Sequence, residues 1–284
     1  MRVRYSFSSR RTRRIAKIRK QRPKYPELVE KIIEISDIII QVLDARFIEE
    51  TRNRSLEREI KKQKKKLIFV LNKSDLILKL KTKPKPSVLV SCTKRKGARE
   101  LRALIQTEAK AIQKKTGKVL KGDKIKKSSE EKITIGVIGY PNTGKSSVIN
   151  LLVGKPKAKT AAEAGFTKNI QKIKLTRDIQ LIDSPGVIPK EEYSGEDKDA
   201  IARHTKVGGR SYSQVKDPEI VVSKLLKEYP QIEKFYKIKS KENAEILIEK
   251  LGRKKGYLKK GGEVEENKTA RLILKDFQEG RIKI

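Results

Sequence analysis

Gly139-Tyr140-Pro141-Asn142-Thr143-Gly144-Lys145-Ser146 is the stretch that decides the fold of this chain. Gly139 and Gly144 let the backbone curl until successive N–H groups face inward, at the start of a helix whose dipole favours anions. Lys145 supplies a point charge for the outer phosphates of a bound polyphosphate. Ser146 offers a hydroxyl to the shell of a magnesium ion, and Ser147 reaches the innermost phosphate. Ile133 to Ile138 precedes the loop as an apolar strand, and Lys145 to Leu152 follows it as a helix ended by Gly154. That strand–turn–helix context separates a phosphate-binding loop from an idle glycine-rich turn. Asn142, Thr143, Gly144, Lys145, Ser146 and Ser147 are therefore the candidate phosphate ligands.

Downstream, Ile170 to Leu175 and Ile179 to Ile182 read as a hairpin-like pair of strands leading into Asp183-Ser184-Pro185-Gly186. By itself that tetrapeptide is an ordinary turn. One strand pair after a phosphate loop, it puts Asp183 where a carboxylate holds magnesium through water, and the Gly186 N–H where it meets a γ-phosphate. Thr167, in Gly165-Phe166-Thr167, is the candidate threonine covering magnesium and that phosphate, with Thr160 as its competitor. His204, the only histidine, has no carboxylate or cysteine pattern beside it and is expected in a loop.

Base choice comes from upstream. Leu67 to Leu71 is an apolar strand, and Asn72-Lys73-Ser74-Asp75 begins at its C-terminal end. An Asp75 carboxylate accepts from both N1–H and the exocyclic amine of guanine, a donor pair that adenine lacks. Asn72 can hold the O6/N7 side, and the stem of Lys73 can lie over the ring. At the end of the next strand (Val88 to Val90), Ser91-Cys92-Thr93 can add a backbone N–H to O6. The ligands expected are GTP and GDP with magnesium. Ordinary GTPases carry the guanine motif after the phosphate loop; here it comes first, so the domain is expected to be circularly permuted.

Around these motifs, strands alternate with helices. A short helix (Glu27 to Ile35) leads into the strand Ile38 to Leu43, which ends at Asp44-Ala45-Arg46. Leu56 to Lys66 looks helical, with Ser55 as its N-cap. Ala98, Leu101, Leu104, Ile105, Ala109 and Ile112 line one helix face, and residues 113–131 read as a solvated linker. Alternation of this kind means an α/β fold with a mostly parallel sheet. Beyond Lys190 only helices are expected: one from Asp217-Pro218, one from Glu242 to Leu251 closed by Gly252, and one from Glu265 to Phe277 closed by Gly280. The expected organisation is a basic arm (1–25), a permuted GTPase domain (26–190) and a small all-helical C-terminal domain (191–284).

The chain has 284 residues, with 71 Lys+Arg against 35 Asp+Glu and a formal net charge of +36. A two-to-one excess of one sign points to a polyanionic partner, most simply nucleic acid, beyond what a heat-adapted Lys/Glu surface would need. The first 24 residues hold no acid, and Arg10, Arg11, Arg13 and Arg14 are their densest charge. A second basic tract, Arg253, Lys254, Lys255, Lys259 and Lys260 with Tyr257 between them, reads as a loop. One cysteine, Cys92, excludes an intramolecular disulfide and a cysteine-rich zinc site. No apolar run is long enough to span a bilayer and the N-terminus has no apolar leader, so a cytoplasmic protein without membrane contact is expected, with an Arg/Ser-rich mitochondrial presequence over residues 1–24 as the alternative; a monomer is expected.

The motifs in this order resemble the circularly permuted GTPases that assemble ribosomes, in the YlqF/YawG group related to nucleostemin. The likeness spans about residues 26–284 and rests on Asp44-Ala45-Arg46, Gly139-Tyr140-Pro141-Asn142, Gly165-Phe166-Thr167-Lys168 and the C-terminal runs around Lys259-Lys260-Gly261-Gly262-Glu263 and Lys275-Asp276-Phe277. It implies a GTP-dependent maturation factor for the large ribosomal subunit that binds rRNA through its helical module. It also implies a potassium ion on Asn142 that activates hydrolysis. Val187 stands where an ordinary GTPase has a water-orienting glutamine, so slow hydrolysis, stimulated by the particle or potassium, is expected. A regulatory GTPase acting on protein effectors and an RNA-binding chaperone are the alternatives.

Overall fold

In the computed structural model of the chain, which describes residues 25–77, 80, 82–116, 132–155, 171–184, 202, 204–209 and 211–284, the first elements are helix α1 (Tyr25–Ile35) and strand β1 (Ile38–Asp44). Every residue of β1 is buried, which requires cover on both faces of the sheet. Two helices follow, α2 (Ile48–Thr51) and α3 (Arg54–Lys62), then β2 (Lys66–Asn72), β3 (Ser87–Leu89) and the long helix α4 (Ala98–Thr116). The second half of the sheet is β4 (Ile133–Gly139), helix α5 (Lys145–Val153), and the strands β5 (Gln171–Lys174) and β6 (Ile179–Asp183).

The six strands lie in the order β3-β2-β1-β4-β6-β5. All neighbours are parallel except β5 and β6, which run antiparallel. Side chains alternate across β1 with period two. Ile38, Ile40 and Val42 pack on one side with Leu101, Ile105 and Ala109 of α4 and Val148, Ile149 and Leu152 of α5. Ile39 faces the other side, with Val29, Ile32 and Ile33 of α1 and Ile60 of α3. From β1 the chain moves outward to β2; from β4 it moves the opposite way to β6. The crevice between β1 and β4 is therefore the topological switch point, where ligands bind at the carboxyl ends of strands.

The C-terminal part adds α6 (Pro218–Glu228), α7 (Gln231–Tyr236), α8 (Ala244–Lys255) and α9 (Glu266–Gln278). Their core is Val222, Leu226, Leu247, Leu251, Ile273, Leu274 and Phe277, and Phe47 and Tyr140 from the α/β part lie in the same apolar cluster. Phe47 stacks on Phe277 with ring centroids 6.0 Å apart and meets Tyr229 edge-on at 6.3 Å. Burying a phenylalanine is worth about 2–3 kcal/mol, so this contact fastens the C-terminal helices to the sheet.

Several local expectations are corrected. α3 is capped by Asn53, whose side chain accepts from Leu56 N, and not by Ser55; it stops at Lys62 because Lys66 already pairs with Ile38 in the sheet. β3 lies one residue early, and α4 runs through residues 113–116 of the expected linker. Gly252 does not end α8. It sits inside the helix, buried, where an added Cβ would meet Val264 Cγ1 at 2.2 Å, and Gly256 makes the cap instead. Gly252 is thus a close-packing glycine, and Arg253, Lys254 and Lys255 belong to the last helical turn rather than to a loop. The basic arm with Arg10, Arg11, Arg13 and Arg14, and Thr160, Thr167, Gly186 and Val187, lie outside the described residues.

Candidate nucleotide site

Parallel pairing brings the carboxyl ends of β1, β2, β4 and β6 to one edge: Asp44 lies beside Asn72, Val42 beside Gly139, and Val137 beside Asp183. The loops after these strands build the pocket. Gly139 takes φ +152°, and a Cβ there would stand 2.4 Å from the Val42 carbonyl oxygen. Gly144 takes φ +91°, and a Cβ there would stand 2.2 Å from Asn72 Nδ2. Only glycine meets both demands.

That second contact is where the two separated motifs converge. Asn72 Nδ2 donates to the Thr143 carbonyl at 2.8 Å, 71 residues apart in sequence. The other end of the same amide, Oδ1, accepts from Cys92 N at 3.4 Å. Asn72, buried, thus ties the phosphate-type loop to both guanine-type loops. Both ends of its amide are engaged with the protein, a tethering role not foreseen for this residue.

Asp75 accepts from Ser91 Oγ at 2.6 Å, and Ser91 Oγ in turn accepts from Lys94 N. This orients the carboxylate and explains why a serine suits that position. Burial, followed by the Asp75 charge, pushes the Cys92 thiol up to about 12. Lys73 has a left-handed backbone and pairs with Asp44 at 2.8 Å. Asp44 also accepts from Arg46, whose Nη2 lies 2.8 Å away. Burial alone would raise the Asp44 carboxyl; Lys73 and Arg46 outweigh it and hold the group well below the usual carboxylate range.

On the phosphate side, Lys145 is buried and its ammonium donates to the carbonyls of Gly139 and Tyr140 at 3.2 and 3.0 Å. Burial lowers it to about 8, with Asp183 pulling the other way. Ser146 Oγ donates to Asp183 Oδ2 at 2.7 Å. Among the described residues, Asp183 Oδ1 and Ser184 Oγ are buried without a hydrogen-bond partner, and burial raises the Asp183 carboxyl despite the bond from Ser146. A hydroxyl against a carboxylate with an orphaned oxygen is a hard-oxygen donor set, so these residues fit a magnesium ion.

Sequence reasoning missed the brace behind this loop. His204 is helical, not in a loop, and its Nδ1 is hydrogen-bonded to the Tyr140 hydroxyl at 2.6 Å. Asn142, at φ 58°, donates its amide N–H to the Gly208 carbonyl at 2.9 Å, which leaves its amide oxygen as the part available to a cation. Gly209 lies so close to the Tyr140 ring that a Cβ would meet it at 2.5 Å. Only the glycine pair Gly208-Gly209 hinted at so close an approach.

The comparisons with known proteins fit this geometry. A family profile described as 50S ribosome-binding GTPase matches residues 134–250. The match starts within β4, as it must when the strands that usually follow the phosphate loop precede it. An uncharacterized GTP-binding protein of Methanocaldococcus jannaschii is 40% identical over 266 residues, covering 90% of this chain and 65% of the relative. Nucleolar GTP-binding protein 2 of Yarrowia lipolytica is 38% identical, covering 89% of this chain and 48% of the relative. The crystal structure of GNP-bound YlqF from T. maritima superposes with a TM-score of 0.58 at 22% identity, over 91% of this chain and 95% of that one. The fold is that of a circularly permuted GTPase domain. The chain spans about half to two thirds of the length of the curated relatives it matches.

The expectation of a cytoplasmic location is corrected. Its eukaryotic relatives, including those of Yarrowia lipolytica and Saccharomyces cerevisiae, are nucleolar GTP-binding proteins. The expectation rested on missing apolar segments, and those discriminate only against membranes. Among the described residues no helix is long and apolar enough to cross one.

Proposed function

We propose that this chain binds and hydrolyses GTP and uses the cycle to control its hold on ribosomal RNA during assembly of the large subunit. The observation that carries this reading is the bond from Asn72 to Thr143, which joins a guanine-type motif and a phosphate-type loop into one pocket. The 50S ribosome-binding description of the matching profile and the net charge of +36 support the choice of partner.

Asp75 reads the guanine edge, with Lys73 over the ring and the loop of Ser91 and Cys92 beside O6. Asn142 to Ser147 and Gly186 cradle the phosphates. Lys145 exchanges its two carbonyl partners for phosphate oxygens, which restores the countercharge that burial denies it. Ser146, Thr167 and Asp183 would hold magnesium, which when bound neutralises charge on the outer phosphates. Asn142, its amide nitrogen held by Gly208, is the proposed potassium ligand through its oxygen. With Val187 at the water-orienting position, hydrolysis is slow until the ribosomal particle or potassium supplies the missing stabilisation. The arm around Arg10 to Arg14 and the tract from Arg253 to Lys260 grip rRNA phosphates, and the protein acts as a monomer.

Calorimetry tests the pocket: GTP and GDP should bind at least a hundredfold more tightly than ATP, and equal affinities overturn the guanine assignment. Co-sedimentation with large subunits tests the switch. More protein should pellet with a non-hydrolysable GTP analogue than with GDP, and equal amounts rule it out. Turnover measured with and without subunits, in potassium and in sodium, tests stimulation in the same way.

A further inference from the structure

On the C-terminal helices, basic charge gathers around one exposed aromatic ring. Phe235 is 42% exposed although it lies next to the buried Tyr236. The two rings meet edge to face, centroids 4.9 Å apart at 82°, and the Tyr236 hydroxyl donates to Asp276 at 2.8 Å. The exposed ring is therefore braced from behind rather than loose on the surface.

Lys237 follows in a left-handed conformation that ends α7 and turns the chain back toward α8. Two lysines of α8 hold that turn: Lys250 donates to the Lys239 carbonyl at 3.2 Å, and Lys254 to the Tyr236 carbonyl at 3.3 Å. A bond to a neutral carbonyl fixes an ammonium without cancelling its charge. The nearby carboxylates are already engaged. Glu249 pairs with Arg253 at 2.6 Å, and Glu233 accepts from Ser240 and from the Glu242 amide. Lys234, Lys237, Lys239, Lys250 and Lys254 are all exposed, on α7, on the turn after it and on the part of α8 that holds that turn.

We propose that this surface binds unpaired RNA, with a base stacked on Phe235 and the flanking phosphates on Lys239, Lys250 and Lys254. This rests on the reading of RNA as the partner and adds which form of RNA and which residues. A duplex hides its base faces inside the stack, so an A-form helix would use the lysines and leave the ring idle. A splayed base uses both, because every base has a π-face and stacking tolerates sequence. An apolar protein partner would have to bury these cations without countercharge.

The test is fluorescence anisotropy of the full chain with a labelled single-stranded RNA and a blunt duplex of equal length, at several salt concentrations. Phe235→Ala should weaken single-strand binding about tenfold and leave duplex binding within a factor of two. Phe235→Trp should keep the single-strand affinity. Lys239→Gln combined with Lys254→Gln should weaken both ligands and reduce the salt slope for the single strand by about 1.4. A melting scan of each variant separates lost contact from lost fold. Equal losses on both RNAs for Phe235→Ala, or no loss on either, overturn the stacking site. A wild-type chain that binds neither RNA in a salt-dependent way overturns the RNA reading itself. Single-strand binding unchanged in Phe235→Ala, with binding of an acidic peptide lost, reassigns the surface to protein.

Discussion

Arg46 donates from Nη1 to the carbonyl oxygen of Phe277 at 2.9 Å, across 231 residues of sequence. The same guanidinium pairs with Asp44, and Asp44 pairs with Lys73 of the guanine-type motif. The last turn of α9 is thus linked to the candidate nucleotide pocket through two side chains, both buried at the end of β1. Phe47, the next residue, adds its ring to Phe277 and lies under the Arg46 guanidinium at 4.9 Å. Asp44-Ala45-Arg46 is therefore a strut between the two parts of the molecule.

Removing the guanidinium should be costly. Arg46→Ala leaves Asp44 buried with one cation instead of two and removes the guanidinium from the Phe277 carbonyl, which keeps the Gly280 N–H. A loss of about 3 kcal/mol is expected, measured as a lower urea midpoint at unchanged slope. Arg46→Lys keeps the charge but not the planar fork and should recover only part of the loss.

Asp44 also sets an acid limb. Its folded pKa is depressed, so its contribution is fully present above the unfolded value of about 3.9 and fades as pH falls below it toward the folded one. Unfolding free energy should therefore drop steeply below about pH 4. Asp44→Asn should be less stable at neutral pH and show a shallower acid limb in the same urea titrations.

On the proposed reading of the pocket, Asp75→Asn reverses one contact at the base. A carboxamide turned toward guanine sets an N–H against N–H donors, so GTP affinity should fall by about a hundredfold or more. Xanthosine triphosphate, which carries an acceptor at that carbon, should gain relative to GTP. Competition between the two nucleotides in calorimetry reads the reversal directly.

At Gly144 a side chain would meet Asn72 Nδ2 at 2.2 Å and hold φ +91° against its preference. Gly144→Ala should cost about 2–3 kcal/mol of stability and break the Asn72–Thr143 bond. Nucleotide binding should then fail at temperatures where circular dichroism still reports a folded chain.

Cys92 should be a poor nucleophile. With its thiol pushed up to about 12, little thiolate exists at pH 8.5, where a free cysteine is about half ionised. Alkylation by iodoacetamide should run at least a hundredfold slower than in urea, as timed by mass spectrometry.

Much of the site was legible because its chemistry sits in short contiguous runs. Asp183 ends β6, Asp75 follows β2 within one short turn, and Lys145 and Ser146 open the helix after the loop that leaves β4, so each sits where a strand or helix pattern meets a polar run. Asn72 was named for its motif, yet its bonds to Thr143 and Cys92 join loops that no local pattern relates. His204 read as a plain loop residue and Gly208 was not singled out, because what defines them is their contact with Tyr140 and Asn142. Gly252 misled because a glycine late in a helical pattern looks like a cap, and only the proximity of Val264 shows that it serves packing.

The amino-acid order alone determined the strand-and-helix alternation, the phosphate and guanine motifs and their permuted succession. Those depend on periodicity and on backbone freedom within a few residues. Which loops meet, and through which atoms, was decided by the sheet. Parallel pairing places four strand ends side by side however far apart they lie in the chain, and a permuted domain keeps that arrangement because packing is indifferent to where the termini fall. The link from Lys73 through Asp44 and Arg46 to Phe277 exists only there.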